Sequence, residues 1–259
     1  MSRYPLRVWL TPVLLFVVAA PLWLHGFEPG LFLAINHAGA PLPDAFWTAF
    51  SLAGTGWGSL GLVAPLLLLA PRSLWACLCT VPFAAVCVRG GKALIESPRP
   101  AALIDNSQMR IVGEAMHNVS MPSGHTLTAF SIAAALYFSL PAERRGRFAW
   151  LWLLAAATGL SRMMLGAHWP GDVAVGASVG ILCGLLGNVL AARTLDANNQ
   201  LRPWSQWLAA ALLAACGYFL IFDVVDFPES LLLQWGLAVS VLVTLLAFAI
   251  RSARSLKAT

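Results

Sequence analysis

The chain predicts an all-α fold, a polytopic bundle of membrane-spanning helices, and three observations predict it. Of its 259 residues, 59% are hydrophobic and only 10% are charged, a balance that a soluble domain of this size does not need. Apolar runs close to the roughly 20 residues required for a span recur from one end to the other. The linkers between those runs alternate in charge, basic and then acidic.

The first run, Val8–Trp23, contains Val18-Ala19-Ala20, where a signal peptide could be cut; Pro21 follows directly, so the run reads as an uncleaved span. Glu28–Phe50 is interrupted by Pro41 and Pro43 and reads as interfacial or re-entrant, with His25 and His37 as interfacial residues. Thr55–Leu69 and Leu74–Gly91 are the next spans. The run Gly54-Thr55-Gly56-Trp57-Gly58 lacks the strand and the acidic partner of a dinucleotide loop, and reads as a close approach of membrane helices. Pro122–Leu140, Phe148–Leu160, Val173–Ala192, Trp207–Phe222 and Leu231–Ile250 complete eight spans. Cys77, Cys79, Cys87, Cys183 and Cys216 lie inside apolar runs without zinc-ligand partners and read as small core residues.

One set of linkers holds Arg3, Arg7, Arg72, Arg144, Arg145, Arg147, Arg193, Arg202, Arg251, Arg254 and Lys257. The other holds Glu28, Asp44, Glu96, Asp105, Glu114, Asp223, Asp226 and Glu229. The positive-inside rule then places both termini in the cytoplasm. This topology accounts for the net charge of +5, and nucleic acid is not needed as a partner. It also puts Lys92, His125 and His168 together on the non-cytoplasmic face.

Three charged stretches interrupt the apolar pattern. Lys92-Ala93-Leu94-Ile95-Glu96-Ser97-Pro98-Arg99-Pro100 closes the third span, and its prolines hold Arg99 in a stiff, extended turn. Snorkelling of basic residues at a helix end is the plain alternative, weakened by the scarcity of basic residues on this acidic side. Arg89, one turn earlier, is a supporting or packing residue. Met121-Pro122-Ser123-Gly124-His125 opens the fourth span, where first-turn amides form a ready anion site. Ser161-Arg162-Met163-Met164-Leu165-Gly166-Ala167-His168-Trp169-Pro170-Gly171-Asp172 sets a histidine before a helix start, an aspartate one turn in, and an arginine whose fork matches phosphate oxygens. Charge at the rim of a hydrocarbon layer is expensive and defaults to a functional reading.

Together, Lys92-x6-Arg99-Pro100, Pro122-Ser123-Gly124-His125 and Ser161-Arg162-x5-His168-x3-Asp172 resemble the three-part signature of the type 2 phosphatidic acid phosphatase family. The match runs roughly from Leu74 to Ala192. The resemblance implies a six-helix core with two further C-terminal spans, and metal-independent hydrolysis of phosphomonoesters or diphosphates without a cofactor. It also implies His168 as nucleophile, Asp172 as its orienter and His125 as acid, with Lys92, Arg99, Ser123, Gly124 and Arg162 binding phosphate. The chemistry of the residues agrees. Phosphoryl transfer needs in-line attack, cations on the equatorial oxygens and a proton for a poor leaving group. The family's soluble vanadium haloperoxidases have similar sites, and a membrane chain argues against that metal.

The expected organisation is an N-terminal helix and interfacial segment over 1–54, a phosphatase core over 55–195, and a C-terminal helix pair over 196–259. Asp105, Arg110, Glu114 and His117, in the loop Ala101–Met121, either read a headgroup or are merely solvated. Asn118-Val119-Ser120 matches a glycosylation acceptor, a pattern short enough to occur by chance. The expected activity is lipid phosphate or diphosphate hydrolysis at the periplasmic face of a bacterial inner membrane, with undecaprenyl diphosphate as the favoured substrate. Phosphatidic acid and phosphatidylglycerol phosphate are alternatives, as is phosphotransfer to another lipid such as lipid A. An anion or lipid transporter is the non-enzyme rival; it predicts two repeated halves, and no repeat is evident.

Overall fold

The computed structural model describes residues 4–24, 27–198 and 200–257, with side chains through Arg254. Arg3, His25 and the side chain of Lys257 lie outside the described residues.

Regular structure among the described residues is helical, apart from an isolated bridge between Leu195 and Leu201. The helices are α1 (Leu6–Val18), α2 (Ala20–Leu24), α3 (Pro29–Ala38), α4 (Asp44–Gly54), α5 (Gly56–Val63), α6 (Leu66–Leu69), α7 (Pro71–Leu78), α8 (Val81–Ile95), α9 (Pro100–Leu103), α10 (Gly124–Ser139), α11 (Ala142–Arg145), α12 (Trp150–Met164), α13 (Pro170–Arg193), α14 (Pro203–Phe222) and α15 (Leu231–Lys257). Four helical stretches are long and apolar enough to cross a membrane: Pro71–Leu103, Pro170–Arg193, Pro203–Phe222 and Pro228–Arg254. The chain is a helical membrane protein.

The other expected spans are shorter or broken, and proline explains several breaks. α1 stops at Val18, shortly before Pro21, and α5 gives way to α6 around Pro65, because proline lacks the N–H and its ring clashes with the preceding turn. The expected interfacial segment Glu28–Phe50 contains α3 and most of α4, separated by the turn that carries Pro41 and Pro43. With 10 residues, α3 is about 15 Å long, half of a hydrocarbon core.

The centre of the fold is the pair α10 and α13. An added Cβ would lie 2.8 Å from the Ser123 carbonyl oxygen at Gly176, 2.5 Å from that of Leu127 at Gly180, and 2.6 Å from that of Ser131 at Gly184. Steps of four on both helices run in the same direction, so α10 and α13 are parallel and meet backbone to backbone. Small residues permit this approach in apolar surroundings. Asn188 adds a hydrogen bond of 3.0 Å to the Ala135 carbonyl. The parallel register brings the starts of both helices, and so His125 and Asp172, to one end of the bundle.

Gly54 serves the same purpose between α4 and its neighbours. A Cβ there would come within 2.6 Å of Thr158 Cγ2 and 2.9 Å of the His125 carbonyl oxygen. The close approach expected of the glycine run thus holds at Gly54, whereas Gly56 has nothing within 4 Å and the atoms nearest Gly58 are those of Leu52 and Thr55 in its own segment. At the opposite end, the Tyr4 hydroxyl donates to the Phe138 carbonyl at 3.0 Å, and the Arg145 guanidinium lies 5.9 Å from the Tyr4 ring.

α14 returns from that far end to the end holding His125, and α15 leads away again. Trp57 stacks on Phe219 at 4.6 Å, attaching the pair to α5. The buried Gln234 side chain ties their linker, donating to the carbonyls of Leu220 at 2.9 Å and Asp223 at 2.6 Å and accepting from the Val225 amide at 3.0 Å. All five cysteines are free thiols; four are buried and Cys87 is half-buried.

Candidate active site

The spacing between Arg162 and His168 comes from the way α12 ends. The Ala167 amide donates to the Arg162 carbonyl at 2.9 Å and the Gly166 amide to that of Met163 at 3.1 Å. This is the double bond pattern of a Schellman cap, with Gly166 at φ +81° supplying the left-handed residue. The cap turns the chain sharply, so that Arg162 and His168 both face inward; they are 1% and 2% exposed. Trp169 anchors the turn. Its indole N–H donates to the Pro98 carbonyl at 2.9 Å, and its ring packs with Phe32, Ile104 and Met109.

Asp172, in the first turn of α13, gathers three donors on one oxygen. Oδ2 accepts from the Trp169 amide at 2.9 Å and from the Ser120 hydroxyl, and lies 3.2 Å from His168 Nδ1. A carboxylate in that position holds the proton on Nδ1, which leaves the Nε2 lone pair free. Nε2 faces Arg99 Nη1 at 3.3 Å. His168 lies in the linker between α12 and α13, and burial, followed by the charges of Arg99, Arg162, His125 and Lys92, holds its imidazole well below the ordinary value of 6.5. It is a neutral base among cations.

Arg99 is held on three sides, donating from Nε to Asn118 Oδ1 at 2.6 Å and from Nη1 to the Ala167 carbonyl at 2.7 Å, besides its contact with His168. Lys92 Nζ donates to the Val119 carbonyl at 3.1 Å. Arg162 Nη1 donates to Ser51 on α4, and its Nε is buried without a partner. Ser123 caps α10, but its amide donates to the Asp172 carbonyl at 3.1 Å and its hydroxyl accepts from Thr126 Oγ1 at 2.9 Å. The next two amides, of Gly124 and His125, are first-turn donors that an α-helix leaves without an intrahelical acceptor. An added Cβ at Gly124 would meet only Val88, at 3.6 Å.

The structure thus gathers Lys92, Arg99, His125, Arg162, His168 and Asp172 at one end of the bundle, with Ser123 and Gly124 at the adjoining helix start. Residues the sequence reading did not single out also converge there. Asn118, Val119 and Ser120 matched only a glycosylation pattern, yet all three contact the gathered charges. Asp226, counted only as an acidic linker residue, lies with Oδ1 3.4 Å from His125 Nε2 and 3.9 Å from Arg162 Nη1. No motif announced it, because its distance in sequence from His125 conceals the contact.

The loop residues divide. Asp105 accepts from the Ser107 amide at 3.0 Å, and Arg110 pairs with Asp44 and donates to the Gly39 carbonyl at 2.9 Å, so both stabilise the loop itself. Glu114 and His117 are exposed. His37 contacts the Gln108 carbonyl at 2.9 Å. Among the described residues, no group of three or more His, Cys, Asp or Glu is arranged to hold a metal ion.

The sequence profile of the PAP2 superfamily matches residues 73–194, the stretch that carries all three charged motifs. Over 72 residues, 26% of this chain, the sequence is 43% identical to the lipid A 1-phosphatase of Porphyromonas gingivalis, covering 15% of that protein. Over 67 residues, also 26% of this chain, it is 46% identical to the bacitracin transport permease protein BcrC of Bacillus licheniformis, covering 30% of it. The chain therefore spans less than a third of the length of these two relatives. The crystal structure of Aquifex aeolicus LpxE aligns with a TM-score of 0.53 at 32% identity, covering 61% of this chain and 92% of that one. A match to nearly the whole of that structure, added to a profile centred on the charged end of the bundle, means that the chain belongs to the PAP2 superfamily.

Proposed function

We propose that the protein is a metal-independent lipid phosphatase that hydrolyses a lipid phosphate or diphosphate through a phosphohistidine, at the periplasmic face of a bacterial inner membrane. The observation that carries this reading is His168, with Nδ1 against Asp172 and Nε2 directed at Arg99. Nε2 attacks phosphorus as the bond to the leaving oxygen breaks, and His125 gives that oxygen a proton. Water then attacks the phosphohistidine, returns a proton to His125, breaks the P–N bond and releases inorganic phosphate. Lys92, Arg99 and Arg162 supply the positive charge on the equatorial oxygens, and the free amides of Gly124 and His125 add hydrogen bonds.

Undecaprenyl diphosphate is the favoured substrate. An apolar cavity of about 390 Å³ runs from Ala53 and Thr158 past Ile132 and Leu136 to Leu140 and Phe148 toward the opposite end of the bundle. Thr158 borders Gly54, which itself lies against His125, and we read the cavity's near end as a place for part of the substrate's hydrocarbon chain. A second reading, hydrolysis of lipid A 1-phosphate, draws on the name of the Porphyromonas gingivalis relative.

The test incubates purified protein with undecaprenyl diphosphate, lipid A 1-phosphate, phosphatidic acid and phosphatidylglycerol phosphate in EDTA, and measures released phosphate. Fastest release from undecaprenyl diphosphate is expected. A preference for lipid A 1-phosphate would select the second reading. Loss of turnover in EDTA, or transfer of label to lipid A without free phosphate, would overturn the hydrolase reading.

A further inference from the structure

An acid must carry its proton before it can give it away, and the surroundings of His125 work against that. Arg162 from α12, Arg99 from the turn before α9, and His168 from the α12–α13 linker all face it, and added positive charge among cations is disfavoured. The group of opposite sign at its ring is Asp226, with Oδ1 3.4 Å from Nε2. Asp226 lies in the α14–α15 linker, beyond the segment that the family profile matches.

The geometry points to Asp226 as a positioning residue that holds His125 in its proton-donating form, so that the last two spans complete the active site. This inference rests on the phosphatase reading above. Nε2 faces the carboxylate, which leaves Nδ1 to serve the leaving oxygen. As Asp172 does for the nucleophile, Asp226 sets a carboxylate beside the acid, here as an ion pair at 3.4 Å rather than a hydrogen bond, and from a distant part of the chain.

The linker is built to hold the carboxylate in place. Phe227, next in the chain, is buried with Trp47, Val112, Met164 and Leu165, and its ring lies 5.7 Å from the Arg162 guanidinium. The Ser230 hydroxyl donates to the Phe227 carbonyl at 2.8 Å, and Gln234 fixes the backbone on the other side through Val225 and Asp223. A segment tied at both ends and packed through an aromatic ring is a fixed wall of the site. A removable plug would lack these anchors.

The test compares full-length wild type, Asp226→Asn, Asp226→Glu, His125→Ala and the double variant His125→Ala/Asp226→Asn in detergent. Phosphatidic acid has a leaving alkoxide that needs a proton; 4-nitrophenyl phosphate has a leaving group that does not. Asp226→Asn should lower kcat on phosphatidic acid by about 10- to 100-fold, no more than the roughly 10²- to 10⁴-fold that the general acid itself contributes. The first-turnover burst of 4-nitrophenol from 4-nitrophenyl phosphate, which precedes the attack of water on the phosphohistidine, should stay near wild type. Asp226→Glu should retain more activity on phosphatidic acid than Asp226→Asn, and the double variant should be no worse than His125→Ala, as expected for residues acting as one unit.

Equal losses on both substrates in Asp226→Asn, with a selective loss in His125→Ala, would overturn this inference alone. So would a lower KM with unchanged kcat, which would make Asp226 a competitor of the phosphate. Should Asp226→Asn fail to fold, an Asp226→Glu protein that folds but loses both activities equally would also overturn it. Equal losses in His125→Ala would remove the acid assignment itself, and this inference with it.

Discussion

At the scale of single residues, the site depends on which nitrogen of His168 holds a proton. In the proposed mechanism the neutral imidazole is the nucleophile, and burial among Arg99, Arg162, His125 and Lys92 keeps its titration well below 6.5. Protonation is therefore delayed as pH falls, and the acid limb of kcat/KM assigned to His168 should lie below pH 6.5. A pH profile whose activity already halves above that value would contradict the assignment. Asp172→Asn keeps the shape but disturbs the carboxylate that gathers three donors, and kcat should fall on the order of 10⁴-fold, by analogy with the aspartate of serine triads. His168→Ala should remove the covalent step altogether. Trapping of acid-labile phosphoprotein from labelled substrate checks both variants. The motif residues were legible in the sequence because their spacing is local: six residues from Arg162 to His168, and four from there to Asp172. Ser120 and Asn118 were not, since nothing in a serine or asparagine near a helix start distinguishes a charge partner from a solvated loop residue.

At the scale of elements, glycine does two different jobs, and substitution separates them. Gly180 faces the Leu127 carbonyl with no room for a side chain, so Gly180→Leu should separate α10 from α13 and prevent recovery of folded protein. Gly124 has room, since an added Cβ meets only Val88 at an ordinary contact distance. Gly124→Ala should leave the melting temperature near wild type while raising KM, because the methyl group occupies space beside the amides offered to phosphate. Size-exclusion chromatography, thermal melting and kinetics on the two variants check this. Equal instability would mean that Gly124 is a packing residue. The apolar runs revealed where helices lie, but not their breaks in detail. Pro21 and Pro65 are readable signals, whereas the division at Thr55 rests on a local cap, in which Thr55 Oγ1 accepts from the Gly58 amide at 2.9 Å. Helix pairing was legible only as glycine content, since the register of α10 on α13 is a property of two surfaces meeting.

At the scale of the whole molecule, charge divides between the two ends of the bundle. Arg145 gathers with Tyr4 and Phe138 at one end, and Arg251 donates to the Leu68 carbonyl at 3.4 Å. Asp44, Asp105 and Asp226 occupy the other, together with Lys92, Arg99 and Arg162. The positive-inside rule supports the proposed orientation, with the first end cytoplasmic and the candidate site at the periplasmic face. This predicts labelling from outside. Val224, 56% exposed in the α14–α15 linker, should react with an impermeant maleimide when replaced by cysteine, in cells whose outer membrane has been made permeable. Glu143→Cys, in α11, should react only after the inner membrane is opened. Four of the native cysteines are buried and Cys87 is half-buried, so wild-type labelling supplies a low background to subtract. The reverse pattern would turn the bundle over and place His168 in the cytoplasm, where the enzyme would meet lipid phosphates of the inner leaflet.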